Sequence, residues 1–174
     1  MSYPRQRRSS IRTFCLLFVF AQALAVPTAQ NATTRADRVV VLKKEHRLEL
    51  WHNGTAFRTY QVALGTVPVG HKQRQGDHKT PEGFYKLDRR NPHSQFYKAI
   101  HISYPNESDR AAARKLGISP GGDVFIHGLA KKFAWVGKSH RLRDWTDGCI
   151  AVTNEEMDEI WELVPDGVPI EIKP

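Results

Sequence analysis

From Asp37 onward the chain consists of short apolar runs broken by turn residues, and this pattern confines it to a β-rich fold. Strand-length runs lie at residues 38–42, 47–51, 55–64, 83–87, 98–103, 123–127, 149–152 and 168–172, with Leu48 and Leu50 alternating around Glu49. Asn53-Gly54, between the second and third runs, is the dipeptide of a type I′ hairpin turn, because both residues tolerate positive φ. Two helices interrupt the strands. Residues 108–116 carry alanines and a leucine and stop at Gly117. The second opens on Thr153 with Glu156 three residues on, a capping box. It repeats Met157, Ile160, Trp161 and Val164 at helical spacing and ends before Pro165. Eight short strands with two short helices predict one mainly β (α+β) domain, sandwich-like or barrel-like, over residues 38–174.

Residues 1–25 read as an address rather than as part of that fold. Arg5, Arg7, Arg8 and Arg12 precede an apolar stretch from Thr13 to Ala25 that closes on Ala23-Leu24-Ala25, the pattern of a secretory signal peptide cut after Ala25. That stretch is short of the roughly 20 residues a membrane span requires. No lipid-attachment pattern precedes Cys15. Residues 26–37 form a polar linker without periodicity. The expected location is the periplasm or cell envelope. Charge is best judged after cleavage. Taking four arginines from 26 basic residues leaves 22 against 18 acidic ones, a net +4 spread over loops. No basic stripe with interleaved aromatics is present, so nucleic acid is not an expected partner.

Cleavage also removes one of the two cysteines and leaves Cys149 alone. A lone thiol in an oxidising compartment is a liability unless it is buried or used. Cys149 follows Gly148 in Trp145-Thr146-Asp147-Gly148-Cys149-Ile150 and stands four residues before the capped helix, where a thiolate would be favoured. His127, at the end of the apolar strand Val124-Phe125-Ile126-His127, is the candidate base. Each residue alone is more simply packing; together they suggest nucleophile and base. A zinc peptidase fits less well. His-Glu-x-x-His is absent, and Glu49 and His52 face opposite sides of an alternating strand. No metal and no cofactor are expected.

Three segments, Gly76-Asp77-His78-Lys79-Thr80-Pro81-Glu82-Gly83-Phe84-Tyr85, His127-Gly128 and Thr146-Asp147-Gly148-Cys149-Ile150, together resemble the L,D-transpeptidase catalytic domain of YkuD type. The tail from Arg141 to Trp161 is most similar to the YafK-like branch, which includes enzymes that detach a lipoprotein from peptidoglycan. The resemblance implies a β-sandwich-like catalytic fold with Cys149 as nucleophile and His127 as general base and acid. Its substrates would be peptidoglycan tetrapeptide stems, attacked through a thioester to give 3→3 cross-links or protein–peptidoglycan links. Resolution of the thioester by water would make the enzyme a carboxypeptidase or a protein-releasing amidase, with a wall-attached lipoprotein as a further partner. A monomer is expected. Gly148, Asp147 and Gly128 are the candidate oxyanion or orienting residues, with the Cys149 and Gly148 N–H groups as donors. Asp147 stands where family members usually carry histidine or arginine, and Ala151 where arginine or asparagine is common. Arg141, Arg143, Tyr104 and Trp135 are candidates for substrate binding, since arginine pairs bidentately with carboxylates. His78 reads as a solvated loop residue. Papain-like and NlpC/P60 peptidases place the cysteine before the histidine, the reverse of the order here. A non-catalytic peptidoglycan-binding module would need neither residue.

Overall fold

The computed structural model describes Met1 and residues 34–174, so the segment expected to be a signal peptide, from residue 2, and the expected linker as far as residue 33 lie outside the described residues. Eight strands form one sheet: β1 (Arg38–Leu42), β2 (Arg47–His52), β3 (Thr55–Gln61), β4 (Gly83–Ser94), β5 (Tyr97–Ile102), β6 (Phe125–His127), β7 (Ile150–Ala151) and β8 (Pro169–Lys173). Helices α1 (Glu107–Leu116) and α2 (Asn154–Leu163) and a 3₁₀ segment (Lys131–Leu142) complete the domain. The fold is mostly β with few helices, the class expected from the sequence.

The spatial order is β3-β2-β1-β8-β4-β5-β6-β7. Beyond β3 the chain bridges back, Ala63 to Ala151 of β7 and Gly65 to Thr146, so the two outer edges meet. Curling the sheet this way covers its unpaired edges and encloses the core. Leu48, Leu50, Leu64, Ile126, Ile150 and Met157 are fully buried inside it. Each such side chain contributes about 1.5–3 kcal/mol relative to an exposed one.

Local chemistry explains most element ends. Asn53 (φ 48) and Gly54 (φ 77) both adopt positive φ in the β2–β3 hairpin, as a type I′ turn requires. Thr153 caps α2, accepting from the Glu156 N–H while the Glu156 side chain accepts from the Thr153 N–H. Asn106 and Asp109 form the equivalent box on α1.

Three stretches differ from expectation. Strand β4 runs seven residues past Leu87, through Pro92. Its pairing to β8 ends at Lys86, so from there one side of β4 has no ladder and the missing proline N–H costs nothing. Strand β6 starts at Phe125 rather than residue 123, because Asp123 sits at φ 53 and breaks the extended run. The basic stretch after Ala130, which falls in none of the expected elements, is a 3₁₀ helix interrupted at Gly137. Such helices carry no apolar repeat at the 3.6-residue period, so the sequence offers no signal for them.

Candidate active site

Strands β6 and β7 run parallel, with Ile126 opposite Ile150 and His127 opposite Ala151. Side chains alternate along a strand, so Ile126 and Ile150 enter the core while the positions on either side face away. Cys149, immediately before β7, therefore emerges on the same face as His127, one strand over. The two line one cleft of about 490 Å³ together with Asn91, Ser94, Phe96 and Asp123. Cys149 is half-buried, and its sulfur lies 3.8 Å from the Asp123 carbonyl.

His127 is 3% exposed. Its Nδ1 lies 2.7 Å from the Gly128 carbonyl, which can only accept, so Nδ1 carries the proton and Nε2 holds the free lone pair. Gly128 thus orients the ring through its oxygen. It must be glycine, because a Cβ there would lie 2.5 Å from Asn154 Oδ1, which in turn accepts from the Leu129 N–H. Two aromatic rings box the imidazole. Phe96 is 4.7 Å away by ring centroids, and Trp145 meets it edge-on at 5.8 Å. The sequence held no signal for Phe96, which arrives from the β4–β5 hairpin. Trp145, four residues before the cysteine, could have been suspected from its place in the motif.

Burial sets the protonation states. It pulls His127 down from its ordinary 6.5 to about 4, against the opposing pull of the Gly128 carbonyl. Burial likewise pushes the Cys149 thiol up, although the Phe125 N–H favours the thiolate. These surroundings do not favour the thiolate expected from the position before α2. Removal from water penalises the charged form of each.

The turn carrying the cysteine is held from inside. Thr146 Oγ1 donates to the Cys149 carbonyl at 2.7 Å and accepts from the Gly148 N–H at 3.1 Å. The Gly148 N–H is thus engaged within the turn and is not the oxyanion donor expected of it. Gly148 adopts φ 125, and a Cβ on it would lie 2.5 Å from the Lys79 carbonyl. Its role is to let the segment around Lys79 pass.

That segment is fastened by a lysine the sequence analysis did not single out. Lys43, buried at the end of β1, donates to Gly70 O at 2.8 Å, Thr80 O at 2.9 Å and Glu82 Oε1 at 2.8 Å. All three of its protons are satisfied, and burial still lowers its pKa. Lys72 and Asp77 form a second buried pair at 2.7 Å, and Asp77 is held down to about 2; its bonds to Lys72 and to three backbone N–H groups outweigh the opposing effect of burial.

Other expected site residues lie elsewhere. Asp147 is 91% exposed and pairs with His78 Nδ1 at 2.8 Å, so it orients His78 on the rim rather than His127. Tyr104 is buried. Its hydroxyl donates to Pro120 O at 2.9 Å and its ring packs edge-on against Tyr85, so it is core and not cleft. Arg141 is turned onto Glu156 of α2, away from the cleft. Arg143 and Trp135 line a separate apolar groove beside the cleft.

Comparison with known proteins gives the family and the fold. Residues 36–172 match the L,D-transpeptidase catalytic domain family, YkuD. The chain is similar to YafK of Escherichia coli (strain K12), 34% identical over 132 residues that cover 72% of this chain and 46% of that protein. Among solved structures, the helical cell shape determining protein Pgp2 of Campylobacter jejuni superposes with TM-score 0.60 at 26% identity, covering 78% of this chain and 46% of that one. An L,D-transpeptidase from Mycobacterium smegmatis shares the fold with TM-score 0.52 at 15% identity, over 79% of this chain and 58% of that one. The chain thus spans about half the length of YafK and of Pgp2. With its matched residues running from the first strand to the last, the chain belongs to the L,D-transpeptidase catalytic domain family.

Proposed function

We propose that the protein is an exported acyltransferase of peptidoglycan stem peptides, with Cys149 as nucleophile and His127 as general base and then acid. The observation that carries this reading is the pairing of the two residues on one face of adjacent parallel strands, with Nδ1 pinned so that Nε2 is the free base. The Sγ–H proton passes to Nε2 as sulfur attacks the carbonyl carbon of the stem's third residue. The tetrahedral oxyanion takes the Cys149 N–H as donor. Collapse breaks the C–N bond, His127 returns the proton to the departing D-alanine amine, and a thioester remains on Cys149. An amine of a second stem then attacks the thioester while His127 removes its proton, giving the 3→3 link and the free thiol.

A hydrolytic reading has its own support. Ala151, fully buried, brings no polar side chain to the site where family members commonly carry one, which leaves water as a ready acceptor. Water would make the enzyme a carboxypeptidase, or an amidase that releases a wall-attached lipoprotein. The name of Pgp2 ties a relative to helical cell shape, and either reaction would remodel the wall in that sense. The N-terminal address supports export to the compartment that holds the wall.

Purified protein incubated with defined muropeptides, its products read by mass spectrometry, separates these outcomes: cross-linked dimers, trimmed stems or released protein. Intact mass should show the acyl adduct on Cys149, and Cys149→Ala should abolish turnover while keeping the wild-type circular dichroism. Turnover by a folded Cys149→Ala protein would overturn the mechanism.

A further inference from the structure

The segment joining the two reacting strands carries charge and apolar surface that the reaction at Cys149 does not use. From Gly128 to Arg143 there is no acidic residue, while Lys131, Lys132, Lys138, Arg141 and Arg143 all lie within the stretch. Arg141 is paired with Glu156, and Lys138 lies beside Glu155, Glu156 and Glu159 of α2. Lys131, Lys132 and Arg143 have no ion pair among the described residues.

Among these cations stand the bare apolar side chains. Phe133, Trp135 and Leu142 are 51%, 83% and 87% exposed on a single segment. Elsewhere among the described residues 34–174, exposed large apolar side chains come at most two to a segment, Val67 with Val69 and Leu116 with Ile118, while Phe84 stands by itself, as is ordinary for a protein surface. The Trp135 indole N–H already donates to the Lys132 carbonyl at 3.1 Å, so the ring can leave water without stranding a donor. Phe133, Trp135 and Leu142 also rim an apolar groove of about 600 Å³ that Leu129 and Trp145 help to line.

We propose that residues 131–143 dock the protein onto an anionic lipid bilayer. Trp135, Phe133 and Leu142 enter the interface, and Lys131, Lys132 and Arg143 meet the lipid phosphates. Tryptophan at the headgroup level and basic side chains with apolar stems are the combination that binds such surfaces. A soluble polyanion would engage the cations but has no use for three bare apolar side chains. Trp145 lines the groove and touches His127, so docking here sets the mouth of the reactive cleft against the bilayer.

The full chain also has an apolar N-terminal stretch, so the test needs a readout local to the segment. Fluorescence quenching by vesicles with brominated acyl chains is measured for wild type and Trp135→Phe, and their difference isolates Trp135. On vesicles of equal parts phosphatidylcholine and phosphatidylglycerol the difference signal should be quenched severalfold more than on phosphatidylcholine alone. High salt, or the triple variant Lys131→Ser, Lys132→Ser and Arg143→Ser, should abolish that excess. The altered side chains are exposed, so both variants should keep the wild-type unfolding temperature. An absent difference signal on the anionic vesicles, or equal quenching on both compositions, overturns the proposal. Binding of dextran sulfate that removes the quenching only through the cations, with Trp135→Phe and wild type quenched alike by the vesicles, assigns the patch to polyanions and overturns it as well.

Discussion

Two segments that join strands of the sheet are held in opposite ways. Residues 65–82, between β3 and β4, have little regular structure, yet buried polar groups fasten them at many points. Lys43 binds at 70, 80 and 82, Lys72 pairs with Asp77, and the Gly65 N–H donates to Thr80 Oγ1 at 3.1 Å. The segment Lys131–Leu142 is helical, yet most of its side chains face solvent, and Arg141 to Glu156 is its one ion pair among the described residues. A helical label therefore says less about how firmly a segment is held than the count of its buried polar bonds. Those bonds are expensive to leave unmade, and exposed ones are not.

The largest break in this contrast should come from Gly148→Ala. The added methyl meets the Lys79 carbonyl at 2.5 Å in a left-handed backbone conformation, so the fastened segment must move off the cysteine turn. We expect a loss of about 3 kcal/mol or more in denaturant unfolding and loss of turnover; an Ala variant with wild-type stability would contradict the close crossing. Lys43→Met comes next. It leaves two carbonyls and Glu82 without their shared donor, and because Glu82 is partly solvated the cost should be about 2–3 kcal/mol by urea titration. Adding Glu82→Leu should recover part of it, and a purely additive double variant would argue that the pair is not the fastening.

Acid should weaken the fold through the two buried histidines. His127 and His140 both have folded-state values lowered by burial from 6.5 to about 4. Between those limits the unfolded chain binds more protons, so their contribution is complete above pH 6.5 and lost as pH falls toward 4. His140 is 7% exposed, and neither of its ring nitrogens has a partner. His140→Phe should therefore remove its share of the acid loss while keeping the edge contact on Trp145; thermal unfolding across that pH range checks this. The same burial predicts that iodoacetamide alkylation of Cys149 titrates above the range of a free cysteine, and a midpoint below neutrality would contradict it. The smallest effect belongs to the exposed side. Trp135→Ser should shift stability by no more than about 0.5 kcal/mol, measured by thermal unfolding.

Much of the scaffold was legible because its signals are local. The positive φ of Asn53-Gly54, the Thr153–Glu156 capping box and the alternation in β1 and β2 each depend on residues within a turn or two of chain. The Cys149–His127 pair was legible too, but only as residue types in a recognisable order. What escaped was set by distant chain. Phe96 reaches His127 from a hairpin 31 residues away, Lys43 binds residues 27 to 39 positions on, and His78 finds Asp147 across 69 residues. Tyr104, Arg141, Arg143 and Trp135 were chosen for what such side chains can bind; packing buried Tyr104 and an ion pair turned Arg141 onto Glu156, while Arg143 and Trp135 line the groove beside the cleft.

The sequence by itself determined a β-rich domain with its turns and caps, and it placed Cys149 in a glycine-preceded turn before the second helix. Only the tertiary structure decided how that cysteine would work. Local sequence dictates backbone conformation through sterics and short-range hydrogen bonds, but the charge state of a thiol depends on how much water and which dipoles surround it. Here His127 is buried and Cys149 half-buried, and that loss of water disfavours the charged form of each.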